Sequence, residues 1–489
     1  MKLYEIIRDT EYESFSFERN EIEIDVLTRK AEEICNNTLF FLLKSIKNYP
    51  ENIINNIRSA SVIVTEKEFI GEEIFDQVLY VKNARKAMAF AYSRFFKIDY
   101  QKSKFIAVTG TNGKTTTATL IKSILEKENA NVGFIGTGKI EACGKILNEE
   151  FYSMTTPDPE VLYPKIKEMQ SLGCNYIVME ASSHALYFDK LAPIPFEIGI
   201  FTNLSPEHLD FHSDIEAYYE SKLKLFNQCK NGIFNCDDRY SRRAFCEAAC
   251  QKSSVGILWP ADTTAREIHG KGFLGSEYIY KEKSLIFKVR MKLIGAYNIY
   301  NSLMAIKALI MLGFKPCRVK ENLSKLDSIE GRLEITHGSV TVIRDYAHTP
   351  DALDNLLKTV KTAINTKQNV ILVFGCGGER DKYKRPQMAK IAEKYASLSI
   401  VTNDNPRGEA ENEIIENILE GFSETTNRIV ITDRKKAIEY AILNSVNDDV
   451  IVIAGKGAEN YIIDKNGYRF FSEKEIIRDA LAKRERLEV

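Results

Sequence analysis

The sequence predicts an α/β protein of three domains: a small N-terminal α/β domain, a central parallel-sheet domain and a C-terminal Rossmann-like α/β domain. Its 489 residues exceed a single core, at about 150 residues per domain. Short apolar runs alternate with amphipathic stretches, which is the pattern of parallel strands with helices packed on their faces. That pattern restarts near residue 332, so the expected domains are 1–102, 103–331 and 332–489.

The first region has no glycine before Gly71. It mixes β-like runs (Ser61 to Val64, Val78 to Val81) with a helical stretch from Ala84 to Phe96, and reads as a small α/β domain. The second opens on Lys104 to Val108, an apolar run of the kind buried on both faces of a parallel sheet. A glycine turn follows, then a helix from Lys114 toward Glu128. Further strands are expected at Val132 to Ile135, Tyr176 to Met179 and Ile198 to Phe201, giving a doubly wound sheet. In the third region strands are expected at Val370 to Phe374, Ser399 to Thr402, Ile429 to Thr432 and Val450 to Ala454. Helices are expected between them, at Arg385 to Tyr395 and Glu411 to Phe422, in a Rossmann-like order.

Composition narrows the function. Hydrophobic residues are 44% and charged residues 28%, an ordinary globular balance. Lys and Arg total 67 against 68 Asp and Glu, so no bulk field draws in nucleic acid or anionic membrane. Any phosphate-bearing ligand must be held locally. No apolar run reaches the roughly 20 residues of a membrane helix, and Met1 to Phe15 lacks the apolar core of a signal peptide. The expectation is a cytoplasmic monomer with small-molecule substrates, no nucleic acid and no membrane insertion. The nine cysteines are scattered and read as reduced thiols. Cys246 and Cys250 lie one helical turn apart if helical, and read as core packing.

The strongest local signal is Thr109-Gly110-Thr111-Asn112-Gly113-Lys114-Thr115-Thr116, between a strand and a helix. Glycines there turn the backbone so that N–H groups and the positive end of the helix face phosphate oxygens. Lys114 is placed to reach the β- and γ-phosphates, and Thr115 to ligate Mg²⁺. Nucleotide binding follows, but not the reaction. Glu180 ends a strand at the carboxyl edge, where open α/β sheets hold ligands. Four of the six histidines, His184, His208, His212 and His348, fall in polar segments of this kind.

These segments resemble the Mur ligases of peptidoglycan synthesis. The matching residues are the phosphate loop, Met179 to His184, Phe201 to Leu204 with His208-Leu209-Asp210, and Tyr219 to Lys222. They continue with Gly295 to Asn301, Gly331-Arg332 and Asp345 to Pro350. They run in family order over residues 103–475. The resemblance implies an ATP-driven amide bond with Mg²⁺: a carboxylate takes the γ-phosphoryl group, and an amine then displaces phosphate from the acyl phosphate. Neutralising the charge that builds up there is the physical need. It also implies site residues. Lys114, Glu180, His208 and Lys222 are catalytic. Thr115, Glu180, His208 and Lys222 hold metal, Lys222 as the carbamate N6-carboxylysine. Gly110, Thr111, Asn112, Gly113, Lys114, Thr115 and Thr116 hold the ATP phosphates. Asn298 and Asn301 resemble adenine contacts, Arg332 and Asp345 phosphate and ribose contacts, and His348 belongs to the same ATP site.

Within the family the motifs are similar to members that add the third residue of the peptide to UDP-MurNAc-L-Ala-D-Glu. Three loops on one rim of the third sheet, Gly375 to Asp381, Asp404 to Arg407 and Gly455 to Glu459, can converge on a pocket. Asp404-Asn405-Pro406-Arg407 resembles the motif of ligases that add meso-diaminopimelate, whose second carboxylate suits a guanidinium fork. The amino-acid site implied is Arg380, Asp404, Asn405, Arg407, Gly455 and Glu459. The UDP-substrate site implied is Thr28, Thr155, Thr156, Ser182 and Lys190. Departures cluster here. Ala458 replaces the family's His, Lys190 stands for Arg, Leu27-Thr28-Arg29 stands for Asp-Ser-Arg, and the Gly-rich uridine loop is missing from Leu39 to Asn55. A related ligase acting on another carboxylate carrier is therefore the alternative. Closure of the third domain about a hinge near Gly331 is expected in either case.

Overall fold

The structure, a computed structural model, describes residues 1–15, 22–70, 75–148, 153–207, 211–365 and 368–487. Among these residues the chain forms three large sheets and a hairpin. The first sheet has the order Tyr12–Phe15, Val78–Val81, Val62–Thr65, Thr38–Phe41, Val26–Thr28. It is parallel except at Tyr12–Phe15. The helix Ala84–Phe95 packs on it through Ala84, Ala87, Met88 and Ala91. Asn83 caps that helix by accepting from the Lys86 amide, satisfying an N–H that the first helical turn leaves unpaired.

The second sheet has eleven strands. Its centre is the parallel series Gln251–Gly256, Cys229–Asn235, Phe196–Phe201, Lys104–Thr109, Tyr176–Glu180 and Val132–Gly136. The inner four, Phe196–Phe201, Lys104–Thr109, Tyr176–Glu180 and Val132–Gly136, are largely apolar on both faces because helices cover both, whereas Gln251–Gly256 is polar and exposed at its start. Ala118, Leu120, Ile121 and Ile124 of the helix Lys114–Lys127 lie on one face with Leu303 and Ile306 of the helix Ala296–Met311. The expectation of a purely doubly wound sheet is corrected at both edges. Thr263–Gly270, Ser276–Glu282 and Leu285–Met291 extend one edge as an antiparallel meander, and Lys139–Ala142 with Lys145–Ile146 extends the other. The meander alternates charged outward residues with buried Tyr278, Tyr280 and Val289, the pattern of a sheet solvated on one face.

The third sheet runs Glu334–His337, Thr341–Asp345, Val450–Ala454, Val370–Phe374, Leu398–Val401, Arg428–Val430, parallel except for the first pair. Helices Pro350–Ala363 and Lys384–Tyr395 cover one face, and Arg434–Asn444 with Glu473–Leu487 the other. A hairpin, Tyr461–Asp464 with Gly467–Phe470, follows the last parallel strand. Parallel strands bring their carboxyl ends to one edge, so the second and third sheets each offer a rim of loops.

No described helix is long and apolar enough to cross a membrane. All nine cysteines are free thiols. The helical pairing of Cys246 and Cys250 is corrected: the helix Arg239–Glu247 ends before Cys250. Cys246 is exposed, so core packing does not describe it.

Candidate functional site

The phosphate loop leaves the strand Lys104–Thr109 at Gly110 and enters the helix Lys114–Lys127 at Gly113. Gly113 has φ of 86°, and a Cβ there would stand 2.5 Å from Asn301 Oδ1; glycine is needed both for the left-handed turn and for that approach. The loop is clamped from the neighbouring strand end. Asn203 accepts from the Asn112 amide at 2.9 Å and donates to the Asn112 carbonyl at 3.0 Å, while its own carbonyl accepts from the Thr111 amide. The amides at the start of the helix, from Lys114 to Thr116, have no partner inside it and are left to an anion. Lys114 Nζ folds onto the Gly110 and Thr111 carbonyls at 2.9 and 2.7 Å. Burial holds its pKa below the usual lysine value, against the pull of Glu207 and Glu180.

Glu180 is fully buried. It accepts from Thr115 Oγ1 at 2.9 Å, from the Thr137 amide at 2.9 Å and from Thr137 Oγ1 at 3.2 Å. No cation pairs with it among the described residues. A buried carboxylate set among hydroxyls, with no cation at ion-pair distance among the described residues, fits a hard cation that takes oxygen ligands. Lys222 is 1% exposed and donates to the Gly110 carbonyl at 2.9 Å. Burial first, and Lys114 second, push its pKa well below the ordinary value, which favours the free amine. His208 lies outside the described residues. Among those described, no group of three or more His, Cys, Asp or Glu forms a metal-holding set.

A cavity of about 410 Å³ opens beside the loop, within the roughly 300–1,000 Å³ of small-ligand sites. Asn112, Gly113 and Thr116 line it, with Asn298, Asn301, Arg332, Asp345 and His348. Asn298 donates to the Ile294 carbonyl, and Asn301 donates to Asn298 and accepts from Thr117 at 3.3 Å. Asn301 therefore buttresses the phosphate end of the cavity. Arg332 donates to Thr115 and stacks on Tyr346, its guanidinium 4.3 Å from the ring centre. Asp345 accepts from the Leu333 and Ala347 amides at 2.7 and 2.8 Å; burial raises its pKa although Arg332 opposes this. Leu258 lines the far wall. Asp237 fixes that wall by accepting from the amides of Ile257, Leu258 and Trp259 and from Tyr300 Oη.

A second cavity, about 480 Å³, separates the rims of the second and third sheets. Thr155, Thr156, Ser182 and Lys190 line it from one side. Arg380, Asp404, Asn405, Arg407, Gly455 and Glu459 line it from the other. Tyr346 and His348 line both cavities, so the two meet there. Thr156 donates to the Glu180 carbonyl at 2.7 Å, and Ser182 caps the helix Ser183–Tyr187. Lys190 pairs with Asp158 at 2.5 Å, and Asp158 also receives Arg29 at 2.6 Å. On the opposite rim Lys456, fully buried, donates to Asn405 at 2.9 Å and lies 3.5 Å from Asp404 and 3.3 Å from Glu459. Burial opposes the charge of Asp404, but Lys456 and Arg434 hold its pKa below the usual carboxylate value. Arg407 Nη1 donates to the Gly378 and Asn405 carbonyls.

Thr28 is not brought to either cavity. It is 2% exposed, donates to Glu33 at 2.7 Å and accepts from the Lys30 amide. The neighbour that reaches across is Arg29, through Asp158 and Glu160. The sequence reading also missed Thr137, Asn203, Glu207 and Lys456. Asn203 and Lys456 stood inside quoted motifs. Thr137 carried no local signal, because only the register of Val132–Gly136 beside Tyr176–Glu180 sets it against Glu180.

A loop that presents helix-end amides to phosphate, joined through one gap to a cavity lined with acids and guanidinium groups, defines an ATP-dependent ligase that joins a carboxylate to an amine. The chain belongs to the Mur ligase family. Residues 108–309 match the Mur ligase middle domain, and residues 331–457 the Mur ligase glutamate ligase domain. A UDP-N-acetylmuramoyl-L-alanyl-D-glutamate--2,6-diaminopimelate ligase of Clostridium acetobutylicum is 39% identical, with 98% of this chain and 99% of that one covered. The Clostridium tetani protein of that name is 38% identical over 98% and 99% of the two chains. Among solved structures, a ligase of the same name superposes with a TM-score of 0.70 at 26% identity, covering 99% of each chain. A Thermotoga maritima MurF ligase in complex with ADP shares the fold, with a TM-score of 0.61, 14% identity, and 96% and 100% of the two chains covered.

Proposed function

We propose that this chain joins meso-diaminopimelate to UDP-MurNAc-L-Ala-D-Glu at the expense of ATP, in the cytoplasm, as a step of peptidoglycan precursor synthesis. The observation that carries the reading is the meeting of the two cavities at Tyr346 and His348. A γ-phosphate lying on the loop is there within reach of a carboxylate held between the rims. The relatives' match over 98% of this chain, N-terminal region included, favours the UDP-linked dipeptide over another carrier. Residues 1–102 would hold the UDP end, 103–331 the nucleotide, and 332–489 the amino acid.

Each residue has a task in this reading. Lys114 and the helix-end amides bind the β- and γ-phosphates. Thr115, Glu180 and His208, with Lys222 as its carbamate, would hold Mg²⁺, which lowers the charge on the γ-phosphoryl group. Asn298, Asn301, Arg332, Asp345 and His348 hold and orient the nucleotide. Thr155, Thr156, Ser182 and Lys190 steady the acceptor. Thr28 supports it indirectly, since its hydroxyl shapes the turn that carries Arg29 to Asp158. Arg380 and Arg407 take the distal carboxylate of diaminopimelate, and Asp404, Asn405, Gly455 and Glu459 take its ammonium end. The test is phosphate release by purified protein, crossing UDP-MurNAc-L-Ala-D-Glu and simpler γ-glutamyl acceptors against diaminopimelate and lysine. Release only with the UDP-linked dipeptide plus diaminopimelate is the expected result. Release with a simpler acceptor alone would overturn the assignment of the acceptor.

A further inference from the structure

Lys384 is the first residue of the helix Lys384–Tyr395. A cation there faces the positive end of the helix, which is unfavourable unless something else is served. Its neighbours are compensated and it is not. Arg385 and Lys382 both pair with Glu409, at 2.8 and 3.1 Å. Lys384 has no carboxylate within ion-pair distance among the described residues. Its ammonium instead donates to the backbone carbonyl of His348 at 2.9 Å. His348 lines both cavities, and Lys384 lines the second. The ammonium thus stands at the gap where the two cavities join. Arg380 and Arg407 belong with Asp404 and Glu459 on the rim proper, where burial and the charge of Arg380 lower the Arg407 pKa.

We propose that Lys384 is a catalytic residue that stabilises the oxyanions formed when the acceptor carboxylate is phosphorylated and then attacked. This rests on the ligase reading above. In the first step a carboxylate oxygen bonds to the γ-phosphorus, and the bond to the β,γ-bridging oxygen breaks, its electron pair leaving with ADP. In the second the neutral amine bonds to the acyl carbon and a tetrahedral oxyanion forms. The C–O bond then breaks, and the proton of the amine leaves with inorganic phosphate. The anion passes through the gap in both steps, and Lys384 exchanges a carbonyl partner for a stronger charge-assisted one.

The test compares Lys384→Met, Lys384→Gln and Lys384→Arg with wild type, measuring kcat, KM for each substrate, and acyl phosphate trapped as the hydroxamate in the absence of amino acid. Calorimetry with ADP confirms that each variant is folded. Lys384→Met is expected to lower kcat about a hundredfold or more, the scale of losing one oxyanion donor, with KM for ATP and for diaminopimelate little changed. Lys384→Gln keeps the hydrogen bond to His348, loses the charge and is expected to fall as far. Lys384→Arg is expected to recover much of the rate. A Lys384→Gln protein as active as wild type would reduce the lysine to a tether and overturn the proposal. So would a loss confined to KM for diaminopimelate, which would place Lys384 in the amino-acid site. Wild-type protein that forms no amide overturns the ligase reading as well, whereas active wild type with unimpaired variants overturns this inference alone.

Discussion

Arg332 and Thr115 are 217 positions apart in sequence, yet Arg332 Nη2 donates to Thr115 Oγ1 at 2.9 Å. The first residue of the third region therefore reaches the hydroxyl that also bonds Glu180. One side chain thus ties the third region to the phosphate loop and, through Thr115, to the carboxylate proposed to hold the cation. Arg332→Ala is expected to raise KM for ATP and lower kcat together, measured by coupled ADP release. An unchanged KM for ATP would show that Arg332 is only a strut.

Lys114→Ala removes the ammonium that, among the described residues, hydrogen-bonds the Gly110 and Thr111 carbonyls of the loop. The expected loss in kcat is about a hundred- to a thousandfold, or about 2.7–4 kcal/mol of transition-state stabilisation. Ligation near the wild-type rate would sink the assignment of the loop.

Lys222→Ala is expected to be almost inactive and partly rescued by small carboxylates in the buffer, because the missing group is an anion. Mass spectrometry under bicarbonate, with the carbamate preserved, gives a second reading. Full activity of the variant without additives would return Lys222 to a structural role.

Arg407 predicts the choice of amino acid. A charged group deprived of its partner on binding costs about 2–5 kcal/mol, so kcat/KM for diaminopimelate should exceed that for lysine by about thirtyfold or more. Arg407→Ala should lose diaminopimelate far more than ATP. Equal kcat/KM for the two amino acids in wild type would overturn the selectivity and leave the ligase reading intact.

Glu409 gives a pH dependence. Its hydrogen bonds with Arg385 hold its pKa down at about 2. The pair supports the loop of Arg380, since Arg385 also donates to the Gly377 carbonyl and Glu409 accepts from the Glu379 amide. A depressed carboxylate stabilises the fold fully above its unfolded value of 4.5 and loses that contribution as pH falls toward 2. Glu409→Gln should therefore flatten the acid limb of urea stability between those values. An acid limb identical to wild type would show that the pair adds nothing.

Strands with continuous apolar runs were legible, as at Val370–Phe374 and Val450–Ala454, which fall where the runs begin and end, but Thr38–Phe41, buried at all four positions, was not read as a strand. The meander from Thr263 to Met291 was not, because charged residues interrupt it and a solvated face leaves no continuous run. Cys229–Asn235 was hidden by Gly232 and two asparagines in a strand that is nonetheless buried. In the site, most of the motif residues that the structure describes line one of the two cavities, while His208 lies outside the described residues. Thr28 lines neither, since the hydroxyl expected to face substrate closes on Glu33 instead. Lys384 has no signature of residue type. Its meaning comes from the carbonyl 36 positions away that it holds.

The wall fixed by Asp237 carries the chain's single tryptophan, Trp259, beside the Leu258 that lines the nucleotide cavity. Trp259 is half exposed and covered on one face by Arg242, 4.2 Å from its ring. Its emission is therefore expected to follow changes at that wall. If nucleotide binds there, its arrival should be readable without a label or a coupled assay, since the sequence holds no other tryptophan.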